Sequence, residues 1–192
     1  MIYKVSIAII LTVCGCATGP AMPEKPTGFV LVREYVDSIK YSSGDQYQKI
    51  QYGWDYATGM AVIRTFDMDG VQLSNKSHPE ITLAATKGEL EYGFALVRKH
   101  PALRKAAARV DARLYGGFAY RNGESFNEPG RHCLPKSRCI HVIISGGATG
   151  EISLAHAIVD LAISKVVIPK YDSARNNSTS SSTSLSRSHP KK

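Results

Sequence analysis

The first fifteen residues constrain this chain most, because they combine a basic start with a short apolar run that closes on small residues. Lys4 supplies the charge, and the run from Val5 to Val13 is interrupted only by Ser6 and Thr12. A helix that spans a bilayer needs about 20 apolar residues, whereas this run offers about nine. It therefore predicts an export signal that is removed, rather than a permanent membrane helix or a buried first element of a domain.

The apolar run closes with Val13-Cys14-Gly15-Cys16. This segment resembles the lipobox of bacterial lipoproteins, in which an aliphatic residue stands three places before an invariant cysteine, with small residues between them. Cys14 departs from the usual middle residue of that pattern. The resemblance implies that Cys16 carries the lipid, palmitate included, and becomes the new amino terminus. Since Ala17 stands where an aspartate would retain the protein at the inner membrane, it also implies an outer-membrane location facing the periplasm.

The leader, residues 1–15, divides the rest of the chain into three parts. Residues 16–28 begin with the lipidated cysteine and lack a pattern that could bury a face, so we expect a short extended tether. Residues 29–172 are long enough for one domain with its own core. From residue 173 to 192 the chain is a Ser-, Thr- and Asn-rich tract with basic ends, which we expect to be disordered.

The net charge of +8 at first suggests a nucleic-acid partner. Five of the 24 Lys and Arg residues lie in the leader or the tail, which leaves 19 basic against 16 acidic residues between them. The sequence has no arginine-rich helix and no zinc-finger spacing, so we expect no nucleic-acid partner. The tail could contact an anionic surface instead.

Cysteine usage becomes simpler once the leader is accounted for. Cleavage removes Cys14 and lipidation uses Cys16, so Cys133 and Cys139 remain. In an exported protein a leftover pair six positions apart favours a disulfide, and we expect one here.

A metal site is the alternative use of the same segment. Four potential ligands of zinc or copper lie close together in it: His132, Cys133, Cys139 and His141. Two imidazoles and two thiolates can bind zinc tetrahedrally, but this spacing is not that of a common zinc finger. The disulfide is therefore the favoured hypothesis, free thiols are a third alternative, and we expect no cofactor.

Hydrophobic patterning predicts strands on both sides of a helical segment. The predicted strands cover residues 29–36, 47–56, 60–66, 71–75, 110–120 and 139–145. Thr86 begins the clearest helix, because Thr86 and Glu89 have the spacing of a capping box. Pro101 should end this helix near His100. A second short helix is expected at 101–108.

The segment from Ile152 to Ile168 is compatible with two structures. Its alanines and leucines allow a helix, whereas its β-branched residues favour strands. We favour a strand pair with a tight connection between Asp160 and Lys165. The resulting order predicts an α+β domain, with a mainly antiparallel sheet and one or two helices packed on one face.

The capped helix is followed by a predicted strand meander with two apolar runs, His156-Ala157-Ile158-Val159-Asp160-Leu161 and Lys165-Val166-Val167. In this pattern the second half of the domain resembles small exported domains of the cystatin-like and PepSY-like kinds. The resemblance implies one helix on an antiparallel meander. A fold by itself implies no activity.

The second predicted strand offers a candidate binding surface. Its alternation places Tyr52, Trp54 and Tyr56 on one face. Three aromatic rings could stack on a sugar or contact a protein partner, although packing against the helix is the simpler use of them.

Hydrolase residue types also occur near the end of the domain: Ser145, Ser153, His156 and Asp160. The pattern Gly-x-Ser-x-Gly is absent around Ser145, which weakens the hydrolase hypothesis. We expect a lipid-anchored, non-enzymatic module for binding, scaffolding or assembly, with an envelope protein as its partner. The alternative is a periplasmic hydrolase or metal-binding protein that uses His141, His156 and Asp160.

Overall fold

The computed structural model describes residues 21–42, 44–119, 132–134 and 136–171. These residues form the strands and helices β1 (Phe29–Tyr41), β2 (Gly44–Asp55), β3 (Met60–Phe66), β4 (Gln72–His78), α1 (Lys87–Lys99), α2 (Arg104–Ala107), β5 (Arg113–Ala119), β6 (Cys139–Gly146), β7 (Ile152–Asp160) and β8 (Lys165–Ile168). The predicted leader, Cys16 and the predicted disordered tail lie outside the described residues.

The strands form two antiparallel meanders of four strands each. Sheet A has the order β1-β2-β3-β4, and sheet B has the order β5-β6-β7-β8. The predicted α+β class with mainly antiparallel strands is thus confirmed, but the strands divide into two sheets instead of one. The polar strand β4 is the last strand of sheet A. Along the chain, the two helices then separate it from the first strand of sheet B.

Helix α1 begins and ends as its sequence predicts. The Thr86 hydroxyl accepts a hydrogen bond from the backbone N–H of Glu89, and the Glu89 carboxylate accepts one from the N–H of Thr86 at 2.7 Å. His100 caps the other end, directly before Pro101. The second helix, α2, is shorter than predicted. Within the described ranges no helix is long and apolar enough to cross a membrane.

The main core lies between α1 and sheet B. It contains Tyr92, Val97, Leu103, Ile140, Val142, Ile144, Ala157, Val159, Leu161 and Val166. Gly93 lets the helix approach the sheet closely, because a Cβ at this position would lie 2.7 Å from the Cδ1 atom of Ile140. The burial of these apolar side chains supplies the main stabilising contribution of the fold.

The favoured strand pair between Ile152 and Ile168 is confirmed as β7 and β8. Residues 161–164 form the turn between them. The β-branched residues favour strands over a helix here. Successive side chains of a strand face opposite sides of the sheet, and both sides of this sheet are covered. Ala157 and Val159 face the main core, whereas Ile158 joins a second cluster with the two domain cysteines.

The β1–β2 hairpin is longer than the sequence predicts. Its outer half pairs Val36 with Lys49, Ser38 with Tyr47 and Tyr41 with Gly44. Polar residues dominate this half, so apolar alternation did not mark it as strand. Most of its described side chains are exposed.

Part of the predicted tether is packed on the domain. Residues 21–27 have no regular secondary structure, yet Met22 packs against the main core. The backbone carbonyl of Gly28 accepts a hydrogen bond of 2.8 Å from the N–H of Tyr56, which fixes the segment beside the end of β2.

Candidate functional site

A chain of three hydrogen-bonding side chains lies on the face of sheet B that points away from α1. The Oγ atom of Ser153 is 2.8 Å from Nε2 of His156, and Nδ1 of His156 is 2.9 Å from Nε2 of His141. Ser153 is exposed, His156 is half-buried and His141 is buried. The chain therefore runs from the protein surface into the interior.

Strand register explains how these residues meet. His156 pairs with Ile143, which places it diagonally next to His141 on the neighbouring strand. Ser153 and His156 are three residues apart and would face opposite sides of a regular strand. The register shifts at this point, because Ser145 pairs with Ser153 while Ile144 pairs with Ala155. This bulge brings the serine hydroxyl and the imidazole to the same side.

The hydrogens of this chain can run in either direction, because each imidazole has two tautomers. In the direction that makes the serine a donor, the Ser153 hydroxyl donates to Nε2 of His156, and the Nδ1–H of His156 donates to Nε2 of a neutral His141. Burial, followed by the charge of His156, lowers the pKa of His141 to about 4, which keeps it neutral. The ring of Tyr171 lies edge-on to His141, with 5.1 Å between the ring centroids, and helps to enclose it.

A cavity of about 420 Å³ opens beside the exposed end of this chain. Ser153 and His156 line this cavity, and so do Leu103, Ala106, Lys170 and Tyr171. The serine hydroxyl thus borders a space that could hold a small molecule.

Asp160 does not take part in this chain, although the sequence grouped it with His141 and His156. It accepts hydrogen bonds from the Ser137 hydroxyl at 2.6 Å and from the Arg138 backbone N–H at 3.2 Å. Since four residues of strand span about 14 Å, its carboxylate lies far from the imidazole of His156. Asp160 instead supports the turn before β6.

Cys133 and Cys139 form the predicted disulfide. Both residues are buried, and they pack with Ile158 and Ile168. The bond uses both sulfurs that the alternative zinc or copper site would need, and His141 contacts His156. Among the described residues no group of three or more His, Cys, Asp and Glu side chains is arranged to hold a metal ion.

The three aromatic residues of β2 are used unequally. Trp54 is 6% exposed, and its ring lies 4.9 Å from the guanidinium carbon of Arg138. Tyr56, just beyond the strand, donates its hydroxyl to Glu89 at 2.7 Å. Tyr52 is half-buried and stacks on Tyr35 with 6.0 Å between the ring centroids. Trp54 and Tyr56 therefore link sheet A to the rest of the domain.

The charged centre of this link is the buried pair Arg138 and Glu89. Arg138 is 2% exposed, and its Nε donates to Glu89 at 3.0 Å while its Nη atoms donate to the carbonyls of Leu83 and Ala84. Burial alone would raise the pKa of Glu89, but the hydrogen bonds and charge of Arg138 hold it below its usual value. Burial, with the adjacent Glu89, raises the pKa of Tyr56.

Sequence reasoning missed this pair. Glu89 was visible only as the acidic residue of a capping box, and nothing in the segment around Arg138 indicates that an arginine is buried. The one signal in the sequence is that Arg138 directly precedes Cys139. The disulfide of Cys139 fixes the backbone at this point.

The opposite face of the β1–β2 hairpin, which we call the outer face, was also missed. It carries Leu31, Glu34, Val36 and Ser38 of β1, and Tyr47, Lys49 and Gln51 of β2. Leu31, Val36 and Tyr47 are 45%, 52% and 54% exposed. The register makes Val36 and Tyr47 diagonal neighbours, so two exposed apolar side chains lie close together in the outer half of the hairpin.

Comparisons with known proteins provide no family for the chain: no protein-family model matches it, and the curated proteins contain no significant match.

Proposed function

We propose that this chain is a lipid-anchored protein of the bacterial cell envelope that binds an envelope protein through its β1–β2 hairpin. The anchor is Cys16, and the location is the outer membrane, facing the periplasm. Support for export comes from the lipobox-like segment Val13 to Cys16 and from the disulfide of the domain, since such bonds form in oxidising compartments.

The observation that carries the binding part is the outer face of the hairpin. Large apolar side chains that stay exposed in a monomer are typical of interaction surfaces when they occur together. Strand β1 adds a second feature, because it is an edge strand with a pairing partner on one side only in the described structure. An extended segment of a partner could pair with this edge while its apolar side chains cover Val36 and Tyr47.

Lipidation is tested by replacing Cys16 with serine in the full chain. We expect the variant to lose palmitate incorporation and to leave the membrane fraction, because a serine oxygen takes no thioether-linked lipid. Cys14→Ser is the matched control, and it should keep both properties. Label and membrane attachment that persist in Cys16→Ser would exclude the anchor.

The partner surface is tested with charged substitutions on the anchored protein. Val36→Asp with Tyr47→Asp should abolish recovery of a partner that copurifies from solubilised membranes with the unchanged protein. Ile163→Asp is the control, because Ile163 is 61% exposed in the turn of sheet B. Equal recovery from both variants would place the binding surface elsewhere.

A second candidate function rests on the Ser153, His156 and His141 chain. In an ester hydrolase the Ser153 Oγ would attack the carbonyl carbon while Nε2 of His156 takes its proton. The proton would pass to the departing alkoxide, and water would then cleave the acyl-serine ester and restore the hydroxyl. His141 would act as a positioning residue that holds the tautomer of His156. The adjacent cavity suits a small carboxylic ester.

A fluorophosphonate probe separates this candidate from a purely structural role. Under the hydrolase hypothesis the probe labels the protein, and the label is lost in Ser153→Ala and in His156→Gln. Ser145→Ala is the control, because Ser145 is buried on the neighbouring strand and should not be needed. Labelling that survives in Ser153→Ala, or none in the unchanged protein, would exclude the hydrolase.

A further inference from the structure

The first described residues lie alongside α1. Ala21, Met22 and Pro23 border a cleft of about 360 Å³ together with Arg98 and Lys99 at the end of the helix. Met22 also packs against the main core, so this segment has a fixed place on the domain. The first described residues therefore lie beside the carboxyl-terminal half of α1.

The distance to the proposed lipid is short. Five Cα steps separate Cys16 from Ala21 in the sequence. An extended chain spans at most about 3.5 Å for each step, so Cys16 lies within about 18 Å of Ala21. A membrane that holds the lipid must then pass close to the end of α1.

Four basic residues are exposed at this end of the molecule, and we call them the basic end: Arg98, Lys99, Arg104 and Lys105. None of the four forms an ion pair within the described part of the chain. Glu91 borders the same cleft as Arg98 and Lys99, and it pairs with Lys87 at 3.8 Å. The basic end thus presents unpaired positive charge next to the first described residues, Ala21 to Pro23.

We propose that the basic end lies against anionic phospholipid headgroups and fixes the orientation of the domain on the membrane. The inference rests on the proposed lipidation of Cys16. Basic residues close to an anionic leaflet are attracted to its headgroups, and this attraction decays over about one Debye length. A neighbouring lipid anchor keeps the four charges inside that range.

The test uses the full lipidated protein in vesicles of phosphatidylcholine, with or without phosphatidylglycerol. Amide hydrogen exchange of residues 98–108 should be slower on the anionic vesicles, and high salt should remove the difference. Replacing all four basic residues with glutamate should also remove it. The control replaces Arg33, Lys49 and Lys76 of sheet A with glutamate and should keep the difference.

The outcomes distinguish the two proposals. Equal exchange on neutral and anionic vesicles, with the protein still held by both, would overturn the basic end and leave the anchor intact. A protein that fails to remain on neutral vesicles would overturn the lipidation itself. Loss of the difference in the sheet A control as well would show nonspecific attraction by net charge and would overturn the proposed orientation.

Discussion

Sheets A and B have the same number of strands and the same antiparallel order, yet they are buried very differently. In β6 of sheet B all residues except Ile143 are buried, because α1 covers one face and the disulfide segment with Tyr171 covers the other. In sheet A burial is concentrated near its base, at Trp54, Ala61 and Val62. Sheet B therefore provides most of the stability of the fold, while the hairpin of sheet A is free to provide a surface.

The link between the sheets should show the largest effect. Replacing Arg138 with Met leaves the Glu89 carboxylate buried without its main partner, and removing one member of a buried ion pair costs about 3–5 kcal/mol. Chemical denaturation should detect this loss in the free energy of unfolding. Arg33→Met is the matched control, since Arg33 is exposed on β1 and should change stability by less than about 0.5 kcal/mol. Similar small losses from both variants would mean that the buried pair does not join the sheets.

A truncation pair tests the two sheets directly. Ile144→Ala in β6 removes a fully buried side chain and should lower the free energy of unfolding by about 3 kcal/mol. Val36→Ala on the outer face should lower it by less than about 0.5 kcal/mol, because Val36 is already half in solvent. If the two variants have equal stability, the division of roles between the sheets is wrong.

The disulfide should contribute next. The double substitution Cys133→Ser and Cys139→Ser removes a disulfide between cysteines that are six positions apart. It should lower the free energy of unfolding by about 2 kcal/mol. A thiol assay on the unchanged protein after denaturation without reductant checks the premise, because neither cysteine should react. Two reactive thiols in that assay would show that the bond is not formed.

The smallest expected effect concerns pH. The unfolded chain protonates His141 near pH 6.5, whereas the folded chain keeps it neutral down to about pH 4. The unfolded state therefore binds more protons in this window, so the free energy of unfolding should fall as the pH is lowered from 6.5 to 4. Below about pH 4 His141 should cause no further loss. His141→Phe should flatten the profile between pH 6.5 and 4. Glu89, whose pKa is held low, adds its own loss only below its unfolded pKa of about 4.3.

Local signals in the sequence predicted much of sheet B. The capping box located α1, the apolar run from Cys139 located β6, and β-branched residues favoured β7 and β8 over a helix. The split into two sheets was not predictable in this way, because strand pairing depends on contacts between distant residues. The outer half of the β1–β2 hairpin was not predicted as strand, because its residues are mostly polar and show no apolar alternation. These residues pair because the register of the inner half continues into them.

The candidate sites show the same limit. Cysteine counting predicted the disulfide, since only Cys133 and Cys139 remain once Cys14 is assigned to the predicted leader and Cys16 to the predicted lipidation. The contact of His156 with His141 and Ser153 depends on strand register and on a bulge. Neither can be predicted from the residue types alone. The same reasoning placed Asp160 beside the histidines, but its carboxylate is used by the turn before β6.

Site-specific photo-crosslinking in membranes tests whether the partner binds the outer face of sheet A. A photo-reactive phenylalanine analogue would replace Tyr47 on the outer face or Ile163 in the turn of sheet B, in the anchored protein. We expect irradiation to join position 47 to one envelope protein and to leave position 163 without that adduct. The same adduct at both positions, or at position 163 alone, would contradict the assignment of partner binding to sheet A.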